Sequence, residues 1–288
     1  MTKNISYILY KIFKFLDKIF FLITKKSLFP WFNIFLNNDS YETLKILDKK
    51  IKFFSPNYIT NWRIKTFFKK EPETLEWIDS FKSENKIIFW DIGANIGLYS
   101  LYAAAKHNDN IEVFAFEPST SNLRALSRNI SINNFDEIIK IGQFALTNKE
   151  NEFLAMNEAD FLEGGALNSF GENYNFEGKK FKGKNRYKIY GTTINYLIRQ
   201  NILSVPNYIK IDVDGIEHLI LQEANECLAN KNLKNIAIEI NENFTEQMNV
   251  ILKIMDDAGF YLKHKKQSHF IEKNSKFSNT YNYLFFRK

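Results

Sequence analysis

From residue 87 onward, the hydrophobic and polar positions of the chain follow two distinct patterns in turn. Short apolar runs typical of buried strands recur, and apolar residues at helical spacing follow most of them. The predicted strands are residues 87–91, 111–117, 138–145, 208–212 and 236–240. The predicted helices are residues 97–106, 121–133, 216–228 and 242–258. Strands that alternate with helices predict an α/β fold with a doubly wound, mostly parallel sheet.

The two ends of the chain add elements to this sheet. Residues 260–264 and 283–287 are predicted to close it as an antiparallel pair. Before the sheet, the pattern predicts a short strand at 50–54 and helices at 60–68 and 71–80. We therefore expect a mainly helical N-terminal extension over residues 1–80 and a sheet domain over residues 81–288.

Residues 8–26 combine lysines at helical spacing with many apolar residues. The charges interrupt the segment too often for a spanning helix, which needs about 20 apolar residues. No small-residue cleavage site follows, so a secretory signal is not predicted. Two interpretations stay open: an amphipathic helix on an anionic membrane surface, and a helix that packs on the domain or on a second copy. Packing is preferred here, because apolar stripes most often face protein.

Composition and charge limit the cellular locations and the binding partners that the sequence predicts. The single cysteine, Cys227, excludes an internal disulfide and a cysteine metal cluster. A reducing, cytoplasmic location fits, with peripheral contact at the inner membrane surface through residues 1–26 as the open alternative. The net charge of +6 raises nucleic acid as a partner, but no zinc-finger or RNP motif is present. We expect no nucleic-acid partner, and leave a homo-oligomer open.

Acidic residues follow four of the five predicted strands. Asp91 ends the first, Glu117 the second, Asp212 and Asp214 the fourth, and Glu239 lies at the end of the fifth. Each alone could be a helix cap. Because ligands of such sheets bind at the carboxyl ends of the strands, the recurrence of acids there predicts a binding site.

The segment FWDIGANIGLYS, residues 89–100, defines the character of this site. Gly93 and Gly97 allow a sharp turn and a close approach of a ligand to the backbone. Their Gly-x-x-x-Gly spacing departs from the Gly-x-Gly-x-x-Gly of dinucleotide sites. Asp91 would repel a pyrophosphate and attract a cationic group, while Glu117 suits ribose hydroxyls. The inferred ligand is an adenosine compound with a positive centre and no phosphate, which S-adenosylmethionine satisfies.

Three segments carry a family resemblance: WDIGANIGLYS, VFAFEPSTSNLRALSRNI and YIKIDVDGIEHLILQEA. In this order they resemble the FkbM-type S-adenosylmethionine-dependent methyltransferases, which have the Rossmann-like class I methyltransferase fold. The resemblance extends over residues 54–288 and makes residues 81–288 the cofactor-binding domain. It implies that the cofactor contacts Asp91, Gly93, Asn95, Gly97, Glu117, Ala145 and Asp212. Within that set, Glu117 binds the ribose, Ala145 approaches the adenine from the end of the third strand, and Asp212 faces the reactive methyl.

The resemblance also implies the reaction, an O-methylation of a hydroxyl on a sugar or glycan precursor. A hydroxyl acceptor benefits from a general base. The candidates are Asp212, Asp214, Glu217, His218 and Glu239, of which Asp212 and Glu239 are preferred. Asp212, Asp214 and Glu239 would also suit Mg²⁺, although a required metal is not expected. Where family members often carry glycine at the end of the helix that follows the fourth strand, this chain has Gln222-Glu223-Ala224, which leaves the geometry of that helix end open.

Residues 146–192 show little periodicity and contain several glycines. They predict a mobile insertion across the strand ends. Loops of this length are usually functional or disordered. One interpretation is a lid that contacts the acceptor through Asn168, Ser169 and Phe170, and the other is an ordinary surface excursion.

Two other functional classes stay open as alternatives. A nicotinamide-dependent oxidoreductase would share the sheet, but the glycine spacing and Asp91 argue against it. A non-catalytic module that binds an adenosyl ligand and is tethered by its basic N-terminus would keep the same site residues.

Overall fold

The computed structural model describes residues 1–268, 270–272 and 275–288. It divides into two compact units, Met1–Tyr41 and Glu42–Lys288. This division does not coincide with the boundary expected near residue 80, because residues 42–80 belong to the second unit.

The first unit is a helical hairpin of α1 (Thr2–Thr24) and α2 (Phe29–Asp39). Asp17 of α1 accepts hydrogen bonds from the Ser27 hydroxyl and, at 2.6 Å, from the Leu28 N–H. The Phe13 ring lies 4.3 Å from the Phe32 ring and 5.5 Å from the Phe29 ring. Neither helix contains a buried residue. Within the described residues, no helix is long and apolar enough to span a bilayer.

The remaining elements, in chain order, are β1 (Tyr41–Ile46), β2 (Lys49–Phe54), α3 (Tyr58–Lys70), α4 (Pro72–Asp79), β3 (Ile87–Ile92), α5 (Leu98–His107), β4 (Ile111–Phe116), α6 (Thr120–Ile132), β5 (Ile139–Gly142), β6 (Ala145–Leu146), β7 (Glu152–Glu158), β8 (Ser169–Phe170), β9 (Asn185–Thr192), α7 (Ile194–Arg199), β10 (Tyr208–Ile211), α8 (Glu217–Gln222), α9 (Asn225–Ala229), β11 (Asn235–Asn241), α10 (Thr245–Asp257), β12 (Phe260–Lys266) and β13 (Thr280–Arg287).

The central sheet has seven strands in the order β12-β13-β11-β10-β3-β4-β5. The five strands from β11 to β5 are parallel, and β13 and β12 close the sheet as an antiparallel pair. The predicted α/β class and the terminal pair are confirmed. The chain winds outward from β3 in both directions, so a crevice opens at the carboxyl ends of β3 and β10.

The insertion between β5 and α7 contains more regular structure than its sequence predicts. A four-stranded sheet of order β6-β9-β7-β8 forms there, and β7 pairs antiparallel with β9 along seven residue pairs. Exposed and half-buried positions alternate along most of β9. Arg186 and Lys188 occupy the exposed positions of β9, and these charged residues conceal the strand pattern.

Two predicted bounds are wrong for physical reasons. The third strand ends at Gly142, and Ala145 instead begins β6, whose backbone pairs with β9. The predicted helix over 216–228 is two short helices, α8 and α9. The segment between α8 and α9 is hydrogen-bonded to Asn195 of α7. The Asn195 N–H donates to the Glu223 carbonyl at 3.0 Å, and the Asn195 side chain accepts from the Glu226 N–H at 3.1 Å. These bonds cap the chain at the Gln222-Glu223-Ala224 sequence.

Candidate functional site

An open cleft of about 580 Å³ lies at the carboxyl ends of β3, β4 and β10. Backbone turns and acidic side chains form one part of its wall, and apolar side chains from the insertion form another. Its lining includes Gly93, Asn95, Glu117, Asn122, Ala145, Leu146, Met156, Asn168, Ser169, Phe170, Asp212 and Asp214.

The turn after β3 passes unusually close to the neighbouring strand end. Gly93 has a φ of +85°, and a Cβ atom there would lie 1.9 Å from the Asp212 carbonyl oxygen. The Gly93 N–H donates to the Phe116 carbonyl at 2.9 Å. Asn95, with a φ of +54°, donates its side-chain amide to the Gly165 carbonyl at 2.7 Å. The turn is therefore fixed between the sheet and the insertion.

Glu117 is the acid most completely built into the cleft. Its side chain is 4% exposed. One carboxylate oxygen accepts the Ser119 N–H at 2.8 Å, and the other accepts the Asn95 N–H at 2.7 Å. Burial raises the pKa of Glu117 to about 7, although these backbone bonds oppose the shift. These bonds hold the carboxylate in one orientation at the wall of the cleft.

Asp91 and Gly97 lie behind the cleft surface. Asp91 is fully buried and accepts the Ser100 hydroxyl at 2.6 Å. Its other oxygen has no partner among the described residues, and burial raises its pKa. Gly97 has a φ of +84°, and a Cβ there would lie 2.5 Å from the Leu126 side chain. Asp91 and Gly97 both fix the conformation of the turn. That either residue contacts a ligand stays a prediction.

The insertion supplies much of the apolar wall. Ala145 lines the cleft from β6, beside Leu146, Met156 and Phe170. The predicted lid residues Asn168 and Ser169 line the same cleft. An apolar wall opposite a fixed carboxylate is the arrangement that small-molecule sites use to orient a ligand.

A second cleft, of about 460 Å³, meets the first at Gly93, Asn95 and Asp212. Sequence analysis missed its other polar wall residues. These are Arg63, Lys70, Tyr99 and Lys210. One signal was available for Lys210, since it is a lysine within a strand whose four residues are all buried.

Paired charges organise the wall of this second cleft. The Lys210 ammonium lies 2.8 Å from an Asp212 carboxylate oxygen, and Lys70 lies 2.7 Å from Glu71. The Tyr99 hydroxyl donates to Glu71 at 2.6 Å. Burial disfavours the ionised form of Asp212, but Lys210 and Lys70 outweigh it and hold its pKa at about 2. Asp212 is therefore ionised where the two clefts meet.

Glu239 is half-buried and lies outside the described linings of the two clefts. The pairing of Ile211 with Ile238 places it beside Asp212 on the neighbouring strand. Burial and the Asp212 charge raise the pKa of Glu239 well above its usual range. The pKa values of the two adjacent carboxyl groups are therefore shifted in opposite directions, down for Asp212 and up for Glu239.

The acids after β10 have structural partners. Asp214, with a φ of +63°, accepts the Leu167 N–H at 2.6 Å, and burial raises its pKa to about 6. Glu217 accepts the Val213 N–H at 3.1 Å and a Gln247 amide at 2.6 Å. Within the described residues, no three acidic, histidine or cysteine side chains are grouped so that they could hold a metal ion. That Asp212, Asp214 and Glu239 suit Mg²⁺ without requiring it stays a prediction.

The doubly wound sheet and the cleft at its switch point define the class I methyltransferase fold. The family model described as "Methyltransferase FkbM domain" matches residues 91–262, which is more than half of the chain. This chain belongs to the FkbM methyltransferase family, as the resemblance predicted.

Solved structures of methyltransferases are similar to this chain at low sequence identity. A methyltransferase FkbM from Methylobacillus flagellatus KT is 17% identical with a TM-score of 0.45, over 79% of this chain and 52% of that one. This chain thus spans about half the length of that protein. A precorrin-6y C5,15-methyltransferase from Geobacter metallireducens GS-15 is 13% identical with a TM-score of 0.43, over 88% and 96% of the two chains. A TrmK from M. capricolum, solved with S-adenosyl-homocysteine, is 14% identical with a TM-score of 0.39, over 74% and 67%. No curated protein matches the chain.

Proposed function

We propose that this protein is an S-adenosylmethionine-dependent O-methyltransferase that acts on a hydroxyl of a sugar or glycan precursor. The observation that carries the proposal is the Glu117 carboxylate, which two backbone N–H groups fix at the wall of the first cleft. The sugar class of the acceptor follows from the family resemblance.

The residues of the first cleft fit this cofactor. Glu117 would accept the ribose hydroxyls, and the apolar side chains beside Ala145 would contact the adenine. The missing Cβ at Gly93 leaves the backbone open to the methionine portion. Ionised Asp212 would attract the sulfonium. When bound, the cofactor supplies an electrophilic methyl group.

The second cleft is the proposed place for the acceptor, because it meets the first at Asp212. Arg63 and Lys70 offer donors, and the Tyr99 hydroxyl oxygen offers an acceptor, that would orient a polyhydroxylated ligand. Alignment of an acceptor oxygen with the methyl can contribute about 7–11 kcal/mol to the lowering of the barrier.

Asp212 is the preferred base of the two candidates. It is ionised and lines both clefts, whereas Glu239 lies outside the described linings of the two clefts. We expect Asp212→Asn to slow methyl transfer by about 10²-fold or more and Glu239→Gln to slow it by less than about tenfold. Transfer of a labelled methyl group to a panel of glycan acceptors, with and without Mg²⁺, measures both rates. A larger loss in Glu239→Gln would assign the base to Glu239.

Titration calorimetry tests the cofactor assignment. We expect S-adenosylmethionine and S-adenosylhomocysteine to bind saturably and NAD not to bind. Glu117→Ala should weaken both adenosyl ligands by about 100-fold, because two charge-assisted hydrogen bonds to the ribose are lost. Asp256→Ala, an exposed acid on α10, is the matched control and should leave both affinities unchanged. A folded native protein that binds neither adenosyl ligand would contradict the proposal.

The same titration has an expected pH dependence. The ionised form of Glu117 is the stronger acceptor for hydroxyl groups and the better neighbour for a cation. With a pKa of about 7, the carboxyl must lose a proton on binding below that pH. Affinity should therefore fall by up to about tenfold for each pH unit below 7 and level off above it. Glu117→Gln should remove this dependence, and an unchanged slope in that variant would assign it to another group.

A further inference from the structure

One face of α1 carries an uninterrupted apolar stripe. At about 100° per residue, its members fall within an arc of about 120° along the whole helix. They include Ile5, Ile8, Ile12, Phe15, Leu16 and Ile23, and each is more than 40% exposed. No charged residue lies within this arc. Exposed apolar patches of this extent mark interaction sites.

A lysine stripe runs beside the apolar one. Lys3, Lys11, Lys14, Lys18 and Lys25 fall within an arc of about 80°, on the side of the stripe away from the Phe13 contacts to α2. Residues 1–41 contain six lysines and two aspartates, and Asp17 is bonded to the turn between the helices. The hairpin therefore presents positive charge next to its apolar face.

The second helix also carries exposed aromatic side chains. Trp31 is 63% exposed and Phe35 is 58% exposed, and their rings stack at 6.4 Å. Tryptophan prefers the boundary between lipid headgroups and acyl chains.

From these observations we propose that the hairpin, residues 1–41, binds the surface of an anionic lipid bilayer. The apolar stripe of α1 and the rings of α2 enter the boundary between headgroups and acyl chains, and the lysine stripe contacts the anionic headgroups. This is the geometry of an interfacial helix, with an apolar face and basic residues at its border.

A second copy of the chain fits the same surface less well. Ile5, Ile12 and Ile19 fall at one heptad core position, and Ile8, Phe15 and Leu22 at the other. The position that flanks the first core position is occupied by Lys11, Lys18 and Lys25. The position that flanks the other core position is occupied by Leu9, Leu16 and Ile23. In coiled coils, opposite charges at these flanks select the partner. No acid lies at either flank here, whereas lipid phosphates provide the missing negative charge.

Vesicle sedimentation of the full chain tests the proposal. We expect binding to vesicles of phosphatidylglycerol and phosphatidylcholine, and much weaker binding to phosphatidylcholine alone. The triple variant Lys11→Glu, Lys14→Glu, Lys18→Glu should lower the partition coefficient by about 100-fold or more at low salt. Ile12→Gln with Leu16→Gln should lower it as well, without any change of charge.

A charge-matched control separates the stripe from the net charge. Lys182, Lys231 and Lys253 are exposed residues of the second unit, and their replacement by glutamate changes the charge equally. This control should bind vesicles within a few-fold of the native chain. Equal weakening of binding by both triple variants would overturn the proposal. The proposal would also be overturned if the native chain did not bind anionic vesicles. In that case, a change of oligomeric state in the stripe variants, measured by light scattering, would assign the surface to a second copy of the chain.

Discussion

Gly93→Ala is expected to lower the free energy of unfolding by more than about 3 kcal/mol and to abolish cofactor binding. Two effects combine in this estimate. A φ of +85° costs a residue with a Cβ about 1–2 kcal/mol. The new Cβ would also overlap the Asp212 carbonyl oxygen at 1.9 Å. That oxygen cannot retreat cheaply, because the Asp212 N–H is bonded to the Ile92 carbonyl at 3.0 Å.

Gly259 provides the matched control for backbone strain. Its φ is +78°, but no atom lies within 4 Å of the position that a Cβ would occupy. Gly259→Ala should therefore lose only about 1–2 kcal/mol and leave the proposed binding of S-adenosylmethionine unchanged. Urea denaturation and calorimetry of the two variants measure both quantities. If the two alanine variants lost equal stability, the close approach of Gly93 to Asp212 would be excluded as the reason for the glycine.

The features that sequence could predict are those encoded by neighbouring residues. Gly93 follows a buried strand directly, and Glu117 ends the next strand, so the edge that they share follows from the order of the elements. The second cleft is different. Arg63 and Lys70 come from α3, and they approach Lys210 only because the chain folds back across the sheet. No local pattern brings residues so distant in sequence together.

The insertion shows why Ala145 was placed on the wrong element. The apolar run over 138–145 reads as one strand, but the backbone after Gly142 leaves the central sheet and pairs with β9. That partner is more than 40 residues away in the chain. Strand propensity depends strongly on such context. The cleft nevertheless receives Ala145, because β6 begins where the strand-end loops converge.

Lys210 and Asp212 connect the stability of the site with its chemistry. Lys210 is 4% exposed and points across the Tyr99 ring at 4.8 Å. The Asp212 side chain is 24% exposed at the cleft wall, so the pair is buried mainly on the side of Lys210. Such a pair contributes little net stability compared with an apolar replacement of both partners, whereas removal of one partner is costly. The pair keeps Asp212 ionised, and that is the form we propose to face the sulfonium and the acceptor.

Lys210→Met is therefore expected to lower the free energy of unfolding by about 3 kcal/mol at pH 7, because it leaves the Asp212 charge without its nearest partner. Lys288→Met, which removes an exposed lysine 2.7 Å from Asp256, should cost less than about 1 kcal/mol. Adding Asp212→Asn to Lys210→Met should restore about 2 kcal/mol. The contribution of the pair is present above the unfolded pKa of aspartate, about 3.9, and should disappear as the pH falls towards the folded pKa of about 2. Urea denaturation of the native chain, the two single variants and the double variant gives the coupling energy of the pair. If the double variant were no more stable than Lys210→Met alone, Lys210 would stabilise the fold through packing rather than through Asp212.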